Sequence, residues 1–365
     1  MTTTVLGSAT AGALRKRAIK LAERITTPLV PADYLDLIDP LRSGNQLRGR
    51  ITAVRQETRD SATIVIRPGR GWRHHTAGQY VRIGIDVDGV RQWRAYSITS
   101  ATDSADGNIG ITVKAIPGGT VSNHLVHGAT AGTIVQLDQA AGDFIVDAPV
   151  PTKLLFVTAG SGITPVIGML RSMKNAANAS DIVVVHSSAT ANDVIFGDEL
   201  RTMASAGRIR LIEIHTATDG RLDIARLREL VRDIAERHTW ACGPGALLDT
   251  LEQHWAAEGL ADQLHTERFT IPMVGGGEGG PVNFVESGIT VDTDSPTTLL
   301  DAGENAGVLM PSGCRMGVCF GCVVPLRNGA VRDVRNGEVT VGAPDAGVLV
   351  QTCVSIVAGS CELGI

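Results

Sequence analysis

Residues 312–322 read SGCRMGVCFGC, and this stretch decides what the last third of the chain is. Cys314, Cys319 and Cys322 form a C-x4-C-x2-C array, and Cys353 follows at a distance. That spacing belongs to [2Fe–2S] ligand sets. Two irons need four thiolates on opposite sides of a flat rhomb. Three therefore come from one wrapped loop and the fourth from a returning strand. Ser312, Gly313, Gly317 and Gly321 are small, so backbone N–H groups can approach the sulfides and tune the potential. Structural zinc takes short paired spacings and fits poorly. Cys361 falls outside the array and reads as a small buried residue.

Working outward, residues 281–365 form the cluster module, with strands in VNFVESGITVDTD, a short helix in TTLLDAGENAG, the cysteine loop and further strands. Residues 271–280, IPMVGGGEGG, read as a Gly-rich linker. Across 150–270 strand and helix patterns alternate, which gives a parallel α/β domain. LLFVTAG, DIVVVHSS, RIRLIEIHT and HTWACGP are its strands; Ile163 to Lys174, VIFGDELRTM and the segment after Gly245 are its helices. Across 46–149 the pattern is instead short alternating strands: LRGRITAVRQET, SATIVIRP, YVRIGIDVD, VRQWRAYSIT, IGITVKAI and GTIVQLDQ. Gly/Asp turns separate them, as in an antiparallel barrel. Residues 1–45 form an N-terminal extension with an expected basic amphipathic helix at 11–25. It either caps the next domain or lies peripherally on a membrane.

The 365-residue chain is 43% hydrophobic and 19% charged, which suits a folded multi-domain protein. A net charge of −5 argues against a general nucleic-acid partner. Neither a secretory signal nor an apolar run of membrane-spanning length is visible, so a cytoplasmic, reducing setting is expected.

Two further motifs carry chemistry. In the barrel, Arg94 can neutralise a phosphate, Tyr96 can stack on a flat ring and Ser97 can bond a ring edge. Val113 and Lys114 precede Gly118, Gly119, Thr120, Val121 and Ser122, a Gly turn opening a short helix that can take a pyrophosphate. In the α/β domain, Gly160, Gly162, Thr164 and Pro165 follow a buried strand and open a helix, which suits a dinucleotide phosphate. Cys242, Gly243 and Pro244 end a later strand, where ligands of such sheets bind.

These motifs, in this order, resemble the ferredoxin–NADP reductase superfamily. The domain order is similar to phthalate dioxygenase reductase-like and ketosteroid hydroxylase reductase-like proteins. The N-terminal ITTPLVPADYLDLIDP run further resembles actinobacterial acyl-CoA desaturase reductases. The resemblance implies FAD in the barrel, with FMN as the alternative, NADPH or NADH as donor, and a β-grasp fold for the cluster module. It implies that Arg94, Tyr96 and Ser97 hold the flavin and that Gly119 to Ser122 hold its pyrophosphate. Gly160, Gly162, Thr164 and Pro165 would shape the nucleotide loop, with Cys242 near the nicotinamide. Glu267 and Phe269 would cover the flavin, and Ser97, Cys242, Glu267 and Phe269 would form the catalytic set. One departure bears on the donor. HSSAT at 186–190 lacks the arginine that relatives carry for a 2′-phosphate. Ser187, Ser188, Thr190, Arg201 or Arg221 would have to serve, so the donor stays open.

A flavin converts a two-electron hydride into single electrons, which explains three sites on one chain. The expected activity is NAD(P)H-driven electron transfer through flavin and cluster to an oxygenase or a membrane acyl desaturase. A stand-alone diaphorase and a non-turnover redox sensor are the alternatives. Glu286, Asp292, Asp294, Asp301 and Glu304, without a Lys or Arg between Pro281 and Gly313, suggest an acidic face for a basic partner.

Overall fold

The computed structural model describes residues 39–42, 46–87, 89–173, 180–269, 278–294, 296–313, 315, 317, 320–345 and 347–365. The helix expected at 11–25 and two expected cluster ligands, Cys314 and Cys319, lie outside these residues.

The first sheet joins β1 (Arg48–Thr58), β2 (Ser61–Pro68), β3 (Tyr80–Val87), β4 (Val90–Ser97), β5 (Ile109–Lys114) and β6 (Ile134–Leu137). Their order is β4-β3-β6-β1-β2-β5, and an Ile98–Ile111 bridge joins the two ends into a barrel. Alternation drives the closure. Ile51, Ile64, Ile66, Val81, Ile83 and Ile111 point inward and are buried. Each such side chain contributes roughly 1.5–3 kcal/mol of burial.

The second sheet is wholly parallel, with β7 (Lys153–Ala159), β8 (Asp181–Ser188), β9 (Arg210–His215), β10 (His238–Cys242) and β11 (Leu264–Glu267) in the order β11-β10-β7-β8-β9. The central strands β7 and β8 carry long buried apolar runs because both faces are covered. Phe156 and Val184 join a core with α1 (Ile163–Ser172) and α2 (Gly197–Ser205). Leu155, Val157, Val183 and Val185 face α3 (Ile224–Leu230) and α4 (Gly245–Ala257) on the other side. The sequence suggested helix from Val194, but α2 begins at Gly197. Phe196 adopts a left-handed φ of 60°, which turns the chain, and Ile195 and Phe196 are buried as anchors.

The barrel and the parallel sheet are locked together. Arg171 on α1 donates to the Thr99 carbonyl at 2.6 Å and grips Glu199 with two bonds at 2.9 and 2.5 Å. Trp240 Nε1 donates to the Ile145 carbonyl at 2.9 Å. The lock presents the end of β4 to the carboxyl edge of the parallel sheet.

The last domain is a mixed sheet of β12 (Gly280–Phe284), β13 (Ile289–Thr293), β14 (Val323–Asp333), β15 (Val339–Val341), β16 (Val348–Gln351) and β17 (Ser355–Leu363). The order is β13-β12-β17-β14-β15, with β16 on β14. β12 runs parallel to β17, and α5 (Leu299–Asn305) packs Leu299 and Leu300 into the core. This is the β-grasp arrangement that the motifs implied. Among the described residues, no helix is long and apolar enough to cross a membrane.

Candidate electron-transfer site

Strand register sets five side chains in one row across the carboxyl edge of the parallel sheet. Glu267 pairs with Cys242, Cys242 with Thr158, Thr158 with His186, and His186 with Glu213. Ligands of open α/β sheets bind outside this edge, where strand order reverses. Here the reversal falls between β7 and β10. β7 runs into the turn Gly160–Gly162, and Gly160 has the positive φ of 54° that favours glycine. β10 runs into Gly243 and Pro244. The two loops touch: a Cβ on Gly162 would overlap the Cys242 carbonyl. The Thr164 hydroxyl donates to the Ser161 carbonyl at 2.9 Å. Pro165 sits in the first turn of α1, where no amide hydrogen is needed. The dinucleotide motifs read from sequence thus meet at one crevice.

Burial holds three members of the row, Glu267, Cys242 and His186, in their uncharged forms. Burial pushes the Glu267 carboxyl up to about 8, so it is protonated at neutral pH. Burial and the nearby Glu267 raise the Cys242 thiol. Burial lowers His186 to about 4, and its Nδ1 shares a 2.8 Å hydrogen bond with the Thr158 hydroxyl. On the barrel, Ser97, only 4% exposed, ends β4. Among the described residues, Ser97 Oγ, Glu267 Oε2 and His186 Nε2 have no hydrogen-bond partner. Uncharged, buried side chains with orphaned polar edges fit a flat ring system with polar atoms on its rim. Phe269 lies just past β11 and is partly exposed.

On β4, Arg94 donates to the Trp93 carbonyl at 2.8 Å and to Gln92 Oε1 at 3.3 Å. Burial lowers its guanidinium pKa first, and the Arg315 charge lowers it further. Arg315 belongs to the cysteine loop, so that loop is an electrostatic neighbour of the flavin-motif strand. Tyr96 is raised by burial. The loop before the helical turn Thr120–Asn123 is braced by Asn123 Nδ2, which donates to the Ile116 and Gly119 carbonyls at 2.8 and 2.6 Å. The Ser122 hydroxyl accepts from the Ile116 amide at 3.3 Å, Gly118 has φ 72°, and Thr120 is exposed. Val113 and Val121 are core residues, so only their backbone faces a ligand. Lys114 pairs with Asp60 at 3.3 Å.

In the last domain, Cys322 and Cys353 are 1% and 4% exposed. Their side chains meet, and the hydrogen bond from Cys353 draws the Cys322 thiol down to about 6. Two thiols brought together from separate segments fit the expected cluster ligands. Cys353 lies in the turn Thr352–Val354 between β16 and β17, not in a returning strand as the sequence suggested. Polar side chains that sequence reading missed fix the loop. Arg335 Nη1 and Gln351 Nε2 donate to the Gly317 carbonyl at 2.9 and 3.0 Å. The Thr352 hydroxyl donates to the Cys322 carbonyl at 2.9 Å. Arg315 bonds Asp301 at 3.0 Å and also grips Glu304. Two members of the expected acidic face are therefore neutralised from within.

For the 2′-phosphate candidates, Arg201 is occupied by two 2.8 Å bonds to Glu213. The Ser188 hydroxyl donates to the Thr190 carbonyl at 2.8 Å. Ser187 is buried and Arg221 is exposed.

A barrel, a dinucleotide-type parallel sheet and a cysteine-loop β-grasp domain define a nicotinamide-dependent electron-transfer oxidoreductase. Residues 58–145 match the model of the oxidoreductase FAD-binding domain and 156–253 that of the oxidoreductase NAD-binding domain. Residues 283–358 match the 2Fe-2S iron-sulfur cluster binding domain. The chain is 48% identical to an NADPH oxidoreductase of Mycobacterium tuberculosis (strain ATCC 25618 / H37Rv), over 95% of this chain and 91% of that one. It is 29% identical to the ferredoxin reductase component of 3-ketosteroid-9-alpha-monooxygenase of Mycolicibacterium smegmatis, over 80% and 89%. Phthalate dioxygenase reductase shares the fold, with TM-score 0.62 and 21% identity over 88% of this chain and 98% of that one. The chain belongs to the ferredoxin reductase-type family of NAD(P)H oxidoreductases that carry FAD and a [2Fe–2S] cluster.

Proposed function

We propose that the chain draws electrons from NADPH and passes them singly to a partner enzyme, an oxygenase or a membrane-bound fatty-acyl desaturase. The observation that carries this reading is that a flavin-type barrel, a dinucleotide-type parallel sheet and a cysteine-loop domain stand on one chain. Bound there, flavin and cluster supply the conversion of a hydride into single electrons. The chain's own residues place and shield them. Arg94, Tyr96 and Ser97 hold the flavin, and Gly118 to Ser122 receive its pyrophosphate. Gly160, Gly162, Thr164, Pro165 and Cys242 to Pro244 seat the nicotinamide nucleotide. Protonated Glu267 offers a hydrogen bond in the crevice, and Phe269 covers it. Cys314, Cys319, Cys322 and Cys353 ligate the cluster.

The NADPH oxidoreductase relative supports NADPH as donor, and the monooxygenase reductase component supports an oxygenase as acceptor. The N-terminal basic run supports a membrane-bound acceptor instead. The acceptor docks at the cluster end, where Phe320 and Leu349 are 67% and 69% exposed. Both line a groove of about 600 Å³ together with Val323, Arg335 and Gln351.

Reconstitution tests this. The purified protein is supplied with NADPH or NADH and paired with a fatty-acyl desaturase in vesicles or with an oxygenase component. At least tenfold higher kcat/KM with NADPH, about 1.4 kcal/mol, is expected. Product should form with one acceptor class, and Phe320→Ser should slow that transfer while leaving ferricyanide reduction unchanged. A preference for NADH, or an acceptor rate indifferent to Phe320, contradicts the reading.

A further inference from the structure

On the outer face of the barrel, Arg50 and Arg67 are direct partners across β1 and β2. Both are exposed. Like charges directly opposite on one face of a sheet repel and cost stability. With Arg70, Pro68, Gly69, Leu41 and Asp39 they line an open cavity of about 320 Å³. Other arginines on the molecule have carboxylate partners, as in Arg91–Asp86, Arg201–Glu213 and Arg237–Asp233. Among the described residues, the side chains of Arg50, Arg67 and Arg70 have neither an ion pair nor a hydrogen bond.

The cavity is shaped as well as charged. A bulge between Ile51 and Ala53 interrupts β1 immediately after Arg50, and bulges re-aim neighbouring side chains. The Gly69 amide donates to the Arg48 carbonyl at 2.7 Å and the Arg70 amide to the Leu41 carbonyl at 3.2 Å, which fixes the wall. A Cβ on Gly69 would come within 2.7 Å of the Leu41 carbonyl oxygen. The single carboxylate in the lining, Asp39, turns to its own chain and accepts the Leu41 amide at 3.2 Å. Three guanidinium groups and one carboxylate leave the cavity with a net positive charge.

We propose that this cavity binds a phosphate group, as a site separate from the nucleotide crevice, with which it shares no residue. Planar guanidinium forks match phosphate oxygens in paired hydrogen bonds. The phosphate is carried by a lipid headgroup or by a soluble anion. The chain that leads in from basic Arg15, Lys16, Arg17, Lys20 and Arg24 enters the described fold at Asp39, on the wall of this cavity.

The test uses the full chain with flavin and cluster bound. Co-sedimentation with phosphatidylglycerol vesicles, against phosphatidylcholine vesicles, forms one arm. Calorimetric titration with inorganic pyrophosphate forms the other. Arg50→Gln, Arg67→Gln and their double variant are compared with Arg59→Gln, an exposed arginine at the far end of the hairpin. Each cavity substitution should weaken binding about fivefold, while Arg59→Gln does not. The flavin and cluster spectra and the NADPH–ferricyanide rate should stay unchanged. Loss confined to the vesicle arm identifies a lipid phosphate, and loss confined to the pyrophosphate arm identifies a soluble one. Failure of both probes to bind, equal binding by the double variant, or equal weakening by Arg59→Gln overturns the proposal.

Discussion

In the crevice between barrel and parallel sheet, Ser97 Oγ, His186 Nε2 and Glu267 Oε2 are buried without partners among the described residues. In the cluster domain the orphaned atoms among the described residues are instead guanidinium Nε atoms, of Arg315, Arg327 and Arg332, while the loop's backbone is bonded: the Gly317 carbonyl takes bonds from Arg335 and Gln351, and the Cys322 carbonyl takes one from Thr352. The difference follows from what each guest brings. A buried polar atom without a partner costs about 1–3 kcal/mol. A flavin or a nicotinamide recovers that cost through its own polar rim. A cluster is better held by a loop whose backbone is already fixed. The cysteine loop is flanked by arginines and acidic residues in mutual pairs.

The comparison breaks most completely at the cysteines. Cys353→Ser should abolish the cluster's absorbance and cytochrome c reduction, while NADPH still bleaches the flavin. Loss of both centres would mean that the two sites do not fold independently.

In the crevice, Glu267→Ala should lower the rate of flavin reduction by up to about 100-fold through lost positioning. Glu267→Gln keeps a neutral donor and should retain most of the rate at pH 7. The pH dependence has a definite sign. The folded carboxyl titrates at about 8 against an ordinary 4.5. Stability from this group is therefore complete below pH 4.5 and is lost as pH rises through about 8. Chemical denaturation across that window should show a decline in wild type that Glu267→Gln removes.

Gly162→Ala sharpens the same comparison from the backbone side. Its methyl group would overlap the Cys242 carbonyl. It should cost about 1–3 kcal/mol in denaturation experiments and raise the KM for NADPH, leaving the cluster spectrum intact. The smallest effect is expected at Arg335→Ala, which removes one of two side-chain bonds to the Gly317 carbonyl. Cluster retention against a chelator should fall about tenfold, near the low end for outer-shell partners. Flavin reduction by NADPH should not change.

Much of the fold was legible because periodicity is local. Six alternating runs became the six barrel strands, and the continuous apolar runs LLFVTAG and DIVVVHSS became β7 and β8 with both faces covered. The strand-end positions of Gly160, Gly162 and Cys242 were legible because local pattern suffices there. The row Glu267–Cys242–Thr158–His186–Glu213 was not legible, because it exists only through register between strands far apart in sequence. His186 stood within the apolar run DIVVVHSS, and its burial was the signal available. The pairing of Arg315 with Asp301 and Glu304, two of the five residues of the expected acidic face, was hidden for a similar reason. The early start expected for α2 failed at Phe196, whose left-handed backbone no local pattern announced.

On the proposed reading, one chain takes a hydride at the crevice and releases single electrons at the cluster. Anaerobic titration with NADPH, following flavin and cluster absorbance together, tests it most directly. NADPH should bleach both centres in wild type and only the flavin in Cys353→Ser. A wild-type protein whose bound flavin NADPH and NADH both fail to reduce, or whose cluster stays oxidised beside a reduced flavin, would contradict it.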